Sequence, residues 1–433
     1  MKQKLKNVAK KLPIGKQIYN KFSQLQQERD ALEREVHLQA DAKIDLRLQL
    51  KQERGEPIHV VFVCHRPSVW ESLHSVYNYM KVSPAFRVSI VAIPSKNSLP
   101  GLGLNHQVYE SEGAETFWAE ENCIQGFDYE TKQWLDLETL EPDYIFFQQP
   151  YNVCRPPHYH SKMVSRYARI CYVSYFGSYH TDAIYDECKP LDYLQDLSFF
   201  FTQNPRDHAH IQKRFTLVEP HCCRIVNTGF PRYDLVEGYK EQKSGVWKNP
   251  DTFKILWTPR WTTNEGNCHF FDYKDLIVDY CKDNPVIELV FRPHPQAFKE
   301  WNATGEFPEK DAEAYKQNFV NSNLHIDMSS NYFPTLFESD CLITDKSSML
   351  LDYYCTGKPI IYCTNAPDEE TLFPELMSGM YCATSWDDVC RVLTDLRNGV
   401  DPLQEKRDEV MQSFIYSEEP AGRKIVKAIL ENK

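Results

Sequence analysis

The feature that most constrains this chain is a series of short apolar runs, each closed by a polar or proline-rich cluster, that occurs twice along its length. The first series is "IHVVFVC" (58–64), "FRVSIVAIP" (86–94), "DYIFFQQP" (143–150), "RICYVSY" (169–175), "LSFFFTQ" (197–203) and "CRIVNTG" (223–229). A polar break follows at 237–251. The second series is "FKILWTP" (253–259), "VIELVFRPHP" (286–295), "NLHID" (323–327), "CLITD" (341–345) and "PIIYC" (359–363). Runs that are apolar throughout suit strands buried on both faces, and the segments between them have helical length, so the pattern predicts parallel sheets covered by helices. Two such units predict an α/β chain of two facing Rossmann-like domains, 56–236 and 250–402, with a last helix over 403–433 crossing back onto the first. Ligands of such sheets bind at the carboxyl ends of the strands, here in the cleft between the domains.

Ahead of the first strand, residues 1–55 form a different region. Residues 1–22 hold seven lysines (Lys2, Lys4, Lys6, Lys10, Lys11, Lys16, Lys21) and no acid, so they carry +7 of a chain whose net charge is -12. Pro13 is expected to break any single helix here. A basic segment with interspersed apolar residues can sit on an anionic membrane surface, or simply fray in solvent. Residues 23–54 read as one charged helix ended by Gly55 and Pro57. A 3–4 spacing runs from Phe22 and Leu25 through Leu32, Val36, Leu46 and Leu50, interrupted by Arg29, Gln39 and Lys43, so self-association through this helix is a second expectation.

The acidic balance of the whole argues against nucleic acid as a partner, because neutralising phosphates needs a basic surface. No run approaches the roughly 20 apolar residues of a membrane span, and no secretory signal opens the sequence. The 14 cysteines contain no Cys-x-x-Cys pair and several sit in apolar runs. They are expected to be reduced, in a cytoplasmic protein peripheral to the inner membrane face if the lysine segment anchors it.

Chemistry-bearing residues cluster at strand ends. In "LITDKSSMLLDYYCTGKPIIYC" a strand closes at Asp345 and a helix opens after Ser347 and Ser348; unpaired backbone N–H groups there suit a diphosphate. Taken alone, Asp and Ser are also the ordinary caps of any helix, and the bland reading is favoured. "FRPHP" sets Arg292 and His294 at a strand mouth, with prolines on both sides of the histidine. Arg292 suits bidentate phosphate binding, while His294 could bind a phosphate oxygen or protonate a leaving group. "WTPRW" adds Thr258 and Arg260. In the first half, "SYFGSYHTDAIYD" offers Gly177, Ser178 and His180, and His65 and Arg66 follow the first strand. One of these histidines is the expected base toward an acceptor hydroxyl. No metal-ligand spacing, Walker loop or Gly-x-Gly-x-x-Gly occurs, so no metal or cofactor is expected, and metal dependence stays open.

These motifs are recognisable together. "FRPHP", followed by "SDCLITDKSSMLLDYYCTGKPIIY", resembles the CDP-glycerol glycerophosphotransferase family of teichoic-acid and capsule polymerases; "NTGFPRYD" (227–234) looks like its "GxPRxD" link, and "LWTPRW" is similar to its "xPTxR" strand end. The resemblance covers roughly 140–365, with further support to 430. It implies the GT-B arrangement and passage of glycerophosphate, or a related polyol phosphate, from a CDP-linked donor to a hydroxyl on a polymer or lipid-linked acceptor, releasing CMP. It also implies that His294, Ser347 and Ser348 hold the donor diphosphate, with Arg292 and Arg260 assisting. Two departures stand out. Phe176 occupies the place of the family's "HGTPLK" histidine, leaving His180 four residues on. Near the C-terminus Arg423 is kept where the family's "DGxAxxR" has otherwise lost its Asp-Gly. Two other readings share part of this pattern: a sialyl- or polysialyltransferase-like enzyme using a CMP-activated sugar, and a non-catalytic assembly protein with a degenerate cleft.

Overall fold

The computed structural model describes residues 13–99, 103–110, 114–179, 189–218, 223–263, 268–320, 323–329, 331–347, 349–367 and 372–431. The first series of apolar runs forms β1 (Ile58–Cys64), β2 (Phe86–Ala92), β6 (Tyr144–Phe147), β7 (Arg169–Val173), β8 (Phe199–Thr202) and β9 (Arg224–Asn227). With a short β5 (Cys123–Gln125) they make a parallel sheet in the order β5-β2-β1-β6-β7-β8-β9. The second series forms β10 (Phe253–Thr258), β11 (Ile287–Phe291), β12 (Leu324–Ile326), β13 (Cys341–Thr344) and β14 (Ile360–Cys363). Joined by β15 (Tyr381–Ala383), they run parallel in the order β12-β11-β10-β13-β14-β15. β1, β6, β7, β8, β11, β13 and β14 are buried almost from end to end, as strands covered on both faces must be.

In each sheet the chain starts near the middle, winds outward to one edge, then returns to wind the other way. The direction reverses between β1 and β6 in the first sheet and between β10 and β13 in the second. Splayed loops at such a reversal open a crevice at the strand carboxyl ends. The sequence 237–251 is not a free linker. Trp247 is buried with its indole N–H donating to the Thr335 carbonyl, and the Ser244 and Lys248 backbones donate to the carboxylates of Glu338 and Glu288.

Helices cover the sheets by the usual spacing. α1 (Pro13–Arg54) is longer than the predicted 23–54. Pro13 is the first described residue of this helix, so the proline does not interrupt the run from there to Arg54. Gly55 ends it with φ +66°, the left-handed conformation glycine accepts. α2 (Glu71–Lys81) turns Leu73, Val76, Tyr77 and Met80 inward. α3 (Phe270–Asp283) covers the second sheet through Phe270, Ile277 and Cys281.

Two expectations need correction. The stretch after β2, expected as helical covering, holds an antiparallel hairpin, β3 (Ser95–Leu99) with β4 (Gly103–Glu110). Its sequence has no helical apolar period, and the Pro-Gly turn signal it carries falls outside the described residues. The single helix predicted over about 403–431 is split: Gln404–Val410 runs into a π-turn at Met411–Ile415, and a separate helix spans Ala421–Leu430. That last helix does return to the first domain, packing on α2. Asp234 fixes its start, accepting from the backbone N–H of Ala421 and Gly422 at 2.8 Å each and from the Ser75 hydroxyl at 2.6 Å. Among the described residues no helix is long and apolar enough to cross a membrane. Residues 1–12, which hold five of the seven lysines, lie outside the described residues.

Candidate functional site

Register brings three strand ends to one place. Trp257 on β10 pairs with Phe291 on β11, and Thr258 pairs with Thr344 on β13. Arg260 and His294 are therefore each three residues past paired positions, and Ser347 is three past Thr344. Parallel in-register strands thus bring Arg260, His294 and Ser347 to the same carboxyl edge of the second sheet, at and beside its reversal point.

Asp345 organises it. Its buried carboxylate accepts from the backbone N–H of Arg260 (2.8 Å), from the backbone N–H of His269 (3.0 Å) and from His269 Nδ1 (2.9 Å). The other ring nitrogen of His269 contacts Asn365 Oδ1 at 3.0 Å, so in this arrangement both nitrogens donate. Burial works against a charge on His269, but the hydrogen bond and charge of Asp345, and then the Asn365 amide, outweigh it, and its pKa is raised above 6.5. The sequence alone does not single out His269. Only a long-range contact to Asp345 gives it a role, and no local motif signals that.

Arg260 ties the two flanking loops together. Its Nη1 donates to the Lys346 carbonyl at 2.8 Å on the β13 side, while its charge is felt at His294 on the β11 side. The His294 ring stacks on Trp261 with centroids 4.9 Å apart, and the Trp261 carbonyl is held by the Trp301 indole N–H at 2.7 Å. His294 is an exposed residue, yet desolvation by the surrounding protein, followed by the charge of Arg260, lowers its pKa to about 4. The ring is neutral at pH 7. The Gln296 backbone N–H donates to Nδ1 at 3.2 Å, which places the proton on Nε2 and makes that atom a donor. Ser347 accepts from the Met349 backbone N–H at 3.2 Å and caps α4 (Met349–Tyr354). α4 has only six residues, so local N–H groups rather than a long helix dipole would meet an anion here.

Several expected site residues do other work. Thr258 is buried and donates its hydroxyl to Thr344 Oγ1 at 2.8 Å, directly across the strand pair, so it supports the crevice from below. Arg292 is turned away: its guanidinium donates to Asp327 Oδ2 and to the Ser329 carbonyl, both at 2.8 Å, and lies 4.7 Å from the Tyr332 ring. Gly177 and Ser178 are buried at the domain junction. A Cβ on Gly177 would fall 2.5 Å from Leu351 Cδ1, and the Ser178 backbone N–H donates to Gln203. His65 is buried at the reversal point of the first sheet, where Gln148 holds its backbone N–H at 2.7 Å. Desolvation, then Arg66 and Arg155, lower its pKa to about 3. Arg66 is partly buried, with Nε donating to the Ser95 hydroxyl at 3.2 Å. Arg423 is exposed on the last helix beside Glu419, at 3.4 Å. His180 and Ser348 lie outside the described residues.

The "NTGFPRYD" segment proves to be a buried ionic junction. Arg232 lies 3.1 Å from Glu71 of α2 and 3.3 Å from Asp352 of α4, and also donates to the Tyr332 hydroxyl. It joins the first domain to the helix that Ser347 caps. A hollow of about 850 Å³ also lies between the domains, lined by Gln203, Thr228, Glu375 and Tyr416 among others. It contains none of Arg260, His294 and Ser347, so size does not mark the strand-end site. Among the described residues no group of three or more His, Cys, Asp or Glu side chains could hold a metal ion.

Residues 178–430, more than half of the chain, match the family model described as CDP-Glycerol:Poly(glycerophosphate) glycerophosphotransferase. The chain belongs to this family. The match starts later than the 140 read from motifs and ends at 430, where the motif support also ended, and it takes in the whole strand-end cluster and the Arg232–Asp352 pair. No curated protein sequence matches the chain significantly. Among solved structures, the wall teichoic acid polymerase TagF is similar at 16% identity and a TM-score of 0.55, over 92% of this chain and 99% of that one. A putative UDP-N-acetylglucosamine 2-epimerase from Listeria monocytogenes is similar at 14% identity and a TM-score of 0.56, over 86% of this chain and 96% of that one. The UDP-GlcNAc 2-epimerase from Neisseria meningitidis is similar at 12% identity and 0.55, over 87% and 100%. These likenesses show the shared two-domain α/β fold of GT-B type. They do not separate chemistries, because the same fold serves polymerase and epimerase alike.

Proposed function

We propose that this member of the glycerophosphotransferase family passes glycerophosphate from CDP-glycerol to a hydroxyl of a cell-surface polymer, with the donor diphosphate held at the ends of β10, β11 and β13. The observation that carries the reading is the convergence of Arg260, neutral His294 and the Ser347 cap at one crevice, within the part of the chain that matches the family.

The acceptor oxygen forms a bond to the β-phosphorus while the bond from that phosphorus to the bridging oxygen breaks. CMP leaves with that oxygen, and the acceptor proton passes to a base. CMP is a stable anion, so the leaving group needs charge stabilisation more than protonation, and a neutral Nε2–H donor with a fixed guanidinium beside it suits that task. Arg260 supplies the charge. Ser347, with Ser348 beyond it, supplies donors at the α4 start. His180 is proposed as the base, standing in for the histidine that Phe176 replaces.

The test is CMP release from CDP-glycerol, CDP-ribitol and CMP-sialic acid, each with a hydroxyl acceptor. Release from CDP-glycerol is expected, with His294→Ala lowering kcat/KM by roughly 10²-fold, the usual cost of one donor to a developing charge. Release from CMP-sialic acid alone would replace the donor with a sugar nucleotide. Full activity in His294→Ala and in Ser347→Ala would remove the proposed diphosphate site.

A further inference from the structure

α1 has two faces with different fates. One is docked on the first domain: Ala40 and Ile44 are buried, Arg47 and Lys51 reach the buried Asp143 at 2.8 and 2.5 Å, and Lys162 reaches Glu33 at 2.7 Å. The other is an unpartnered apolar stripe. Leu25, Leu32, Val36, Leu46 and Leu50 are 51%, 68%, 43%, 57% and 38% exposed. With Arg29, Gln39 and Lys43 they keep an unbroken 3–4 spacing. At about 100° per residue the stripe lies about 120° around the helix from Ile44, so docking leaves it accessible. Hollows of about 320 and 440 Å³ flank it, between the helix and Arg166, Tyr167 and Glu138 of the first domain.

We infer that this stripe pairs two copies of the chain through an antiparallel coiled coil centred near residue 41. Charge narrows the choice of occupant. Residues 20–54 hold seven basic residues (Lys21, Arg29, Arg34, Lys43, Arg47, Lys51, Arg54) and seven acidic ones (Glu28, Asp30, Glu33, Glu35, Asp41, Asp45, Glu53), a sum of zero. Such a helix has no net electrostatic attraction to an anionic lipid surface. Register narrows the orientation. A parallel pair would set Arg29 against Arg29 and Lys43 against Lys43, with Glu28 beside Glu33, three like-charge contacts. The antiparallel pair sets Leu32 against Leu50, Val36 against Leu46 and Gln39 against Lys43, so apolar meets apolar and the two polar residues share the centre. Residues 32–50 span about 27 Å, a short coil with a polar middle, which puts self-association roughly in the micromolar range.

Charge exchange in the full chain tests both the partner and its orientation. By sedimentation velocity the wild type is expected to dimerise with rising concentration. Val36→Lys and Leu46→Glu should each weaken the dimer at least about tenfold, because a charge then faces an apolar partner. An equimolar mixture of the two variants should restore it, since the lysine introduced in one copy then meets the glutamate introduced in the other. Both positions are exposed, and unchanged circular dichroism and melting temperature confirm that the variants fold. A wild type monomeric at 100 micromolar overturns the inference, as does a dimer indifferent to either substitution. A mixture that stays dissociated overturns the antiparallel register. Binding of a monomeric wild type to phosphatidylserine vesicles, lost in Leu46→Glu, would give the stripe to a membrane instead.

Discussion

At His294 the Gln296 backbone N–H accounts for one ring nitrogen, and the Trp261 stack fixes the plane, so the remaining Nε2–H has a set direction. With a pKa near 4 the ring keeps this form across the neutral range. Activity should therefore be insensitive to His294 titration above pH 5 and change only on approach to pH 4; a pH profile of kcat/KM checks this. His269 behaves in the opposite sense. Its pKa is raised above the ordinary 6.5, so the protonated form is the one that folding stabilises. That contribution is complete below about pH 6.5 and is lost as pH rises through the folded value. The melting-temperature gap between wild type and His269→Gln should be widest near pH 6 and narrow as the pH is raised above 6.5. The two differ in how far local sequence shows them. His294 stands out because two prolines frame it, whereas His269 matters only through a carboxylate 76 residues away. Arg292 misleads for the same reason. β12 lies beside β11 with Phe291 opposite Ile326, so Asp327 emerges next to Arg292 and captures it.

At the scale of elements, the apolar runs mark the main strands nearly to the residue, because prolines and charges close them and both faces are buried. The β3–β4 hairpin and the short β5 and β15 are not legible, since three to eight residues of mixed polarity carry no period strong enough to separate strand from loop. The "PRYD" arginine is legible as a link but not as a lock. Arg232 is the cation between the half-buried carboxylate of Glu71 and the buried one of Asp352. Desolvation raises both carboxyl pKa values, despite the charge of Arg232. Arg232→Ala should cost about 3–5 kcal/mol, the usual penalty for stranding buried charges. Urea unfolding measures that loss. Because Asp352 belongs to the helix capped by Ser347, CMP release should fall with it.

Over the whole molecule, the two-sheet plan and the return of the last helix follow from the order of apolar runs, while the way the domains and α1 lean on each other does not. The Phe176–Tyr179 backbone meets the second domain closely: the Phe373 backbone N–H donates to the Tyr179 carbonyl at 3.1 Å, and Gly177 leaves room for Leu351. α1 is equally integral. Removing residues 1–55 would strip Arg47 and Lys51 from Asp143 and Asp45 from Arg169, so this truncation should melt several degrees lower, whereas removal of 1–31 should not. Thermal denaturation of the two truncations separates a docked brace from a detachable arm.

The most direct measurement of the central claim is a crystal structure of the chain with CDP-glycerol bound. The diphosphate is expected within hydrogen-bond distance of His294 Nε2 and the start of α4 at Ser347, with the Arg260 guanidinium beside it. A diphosphate seated instead in the hollow lined by Gln203, Thr228 and Tyr416, with the β10, β11 and β13 ends untouched, would contradict the account.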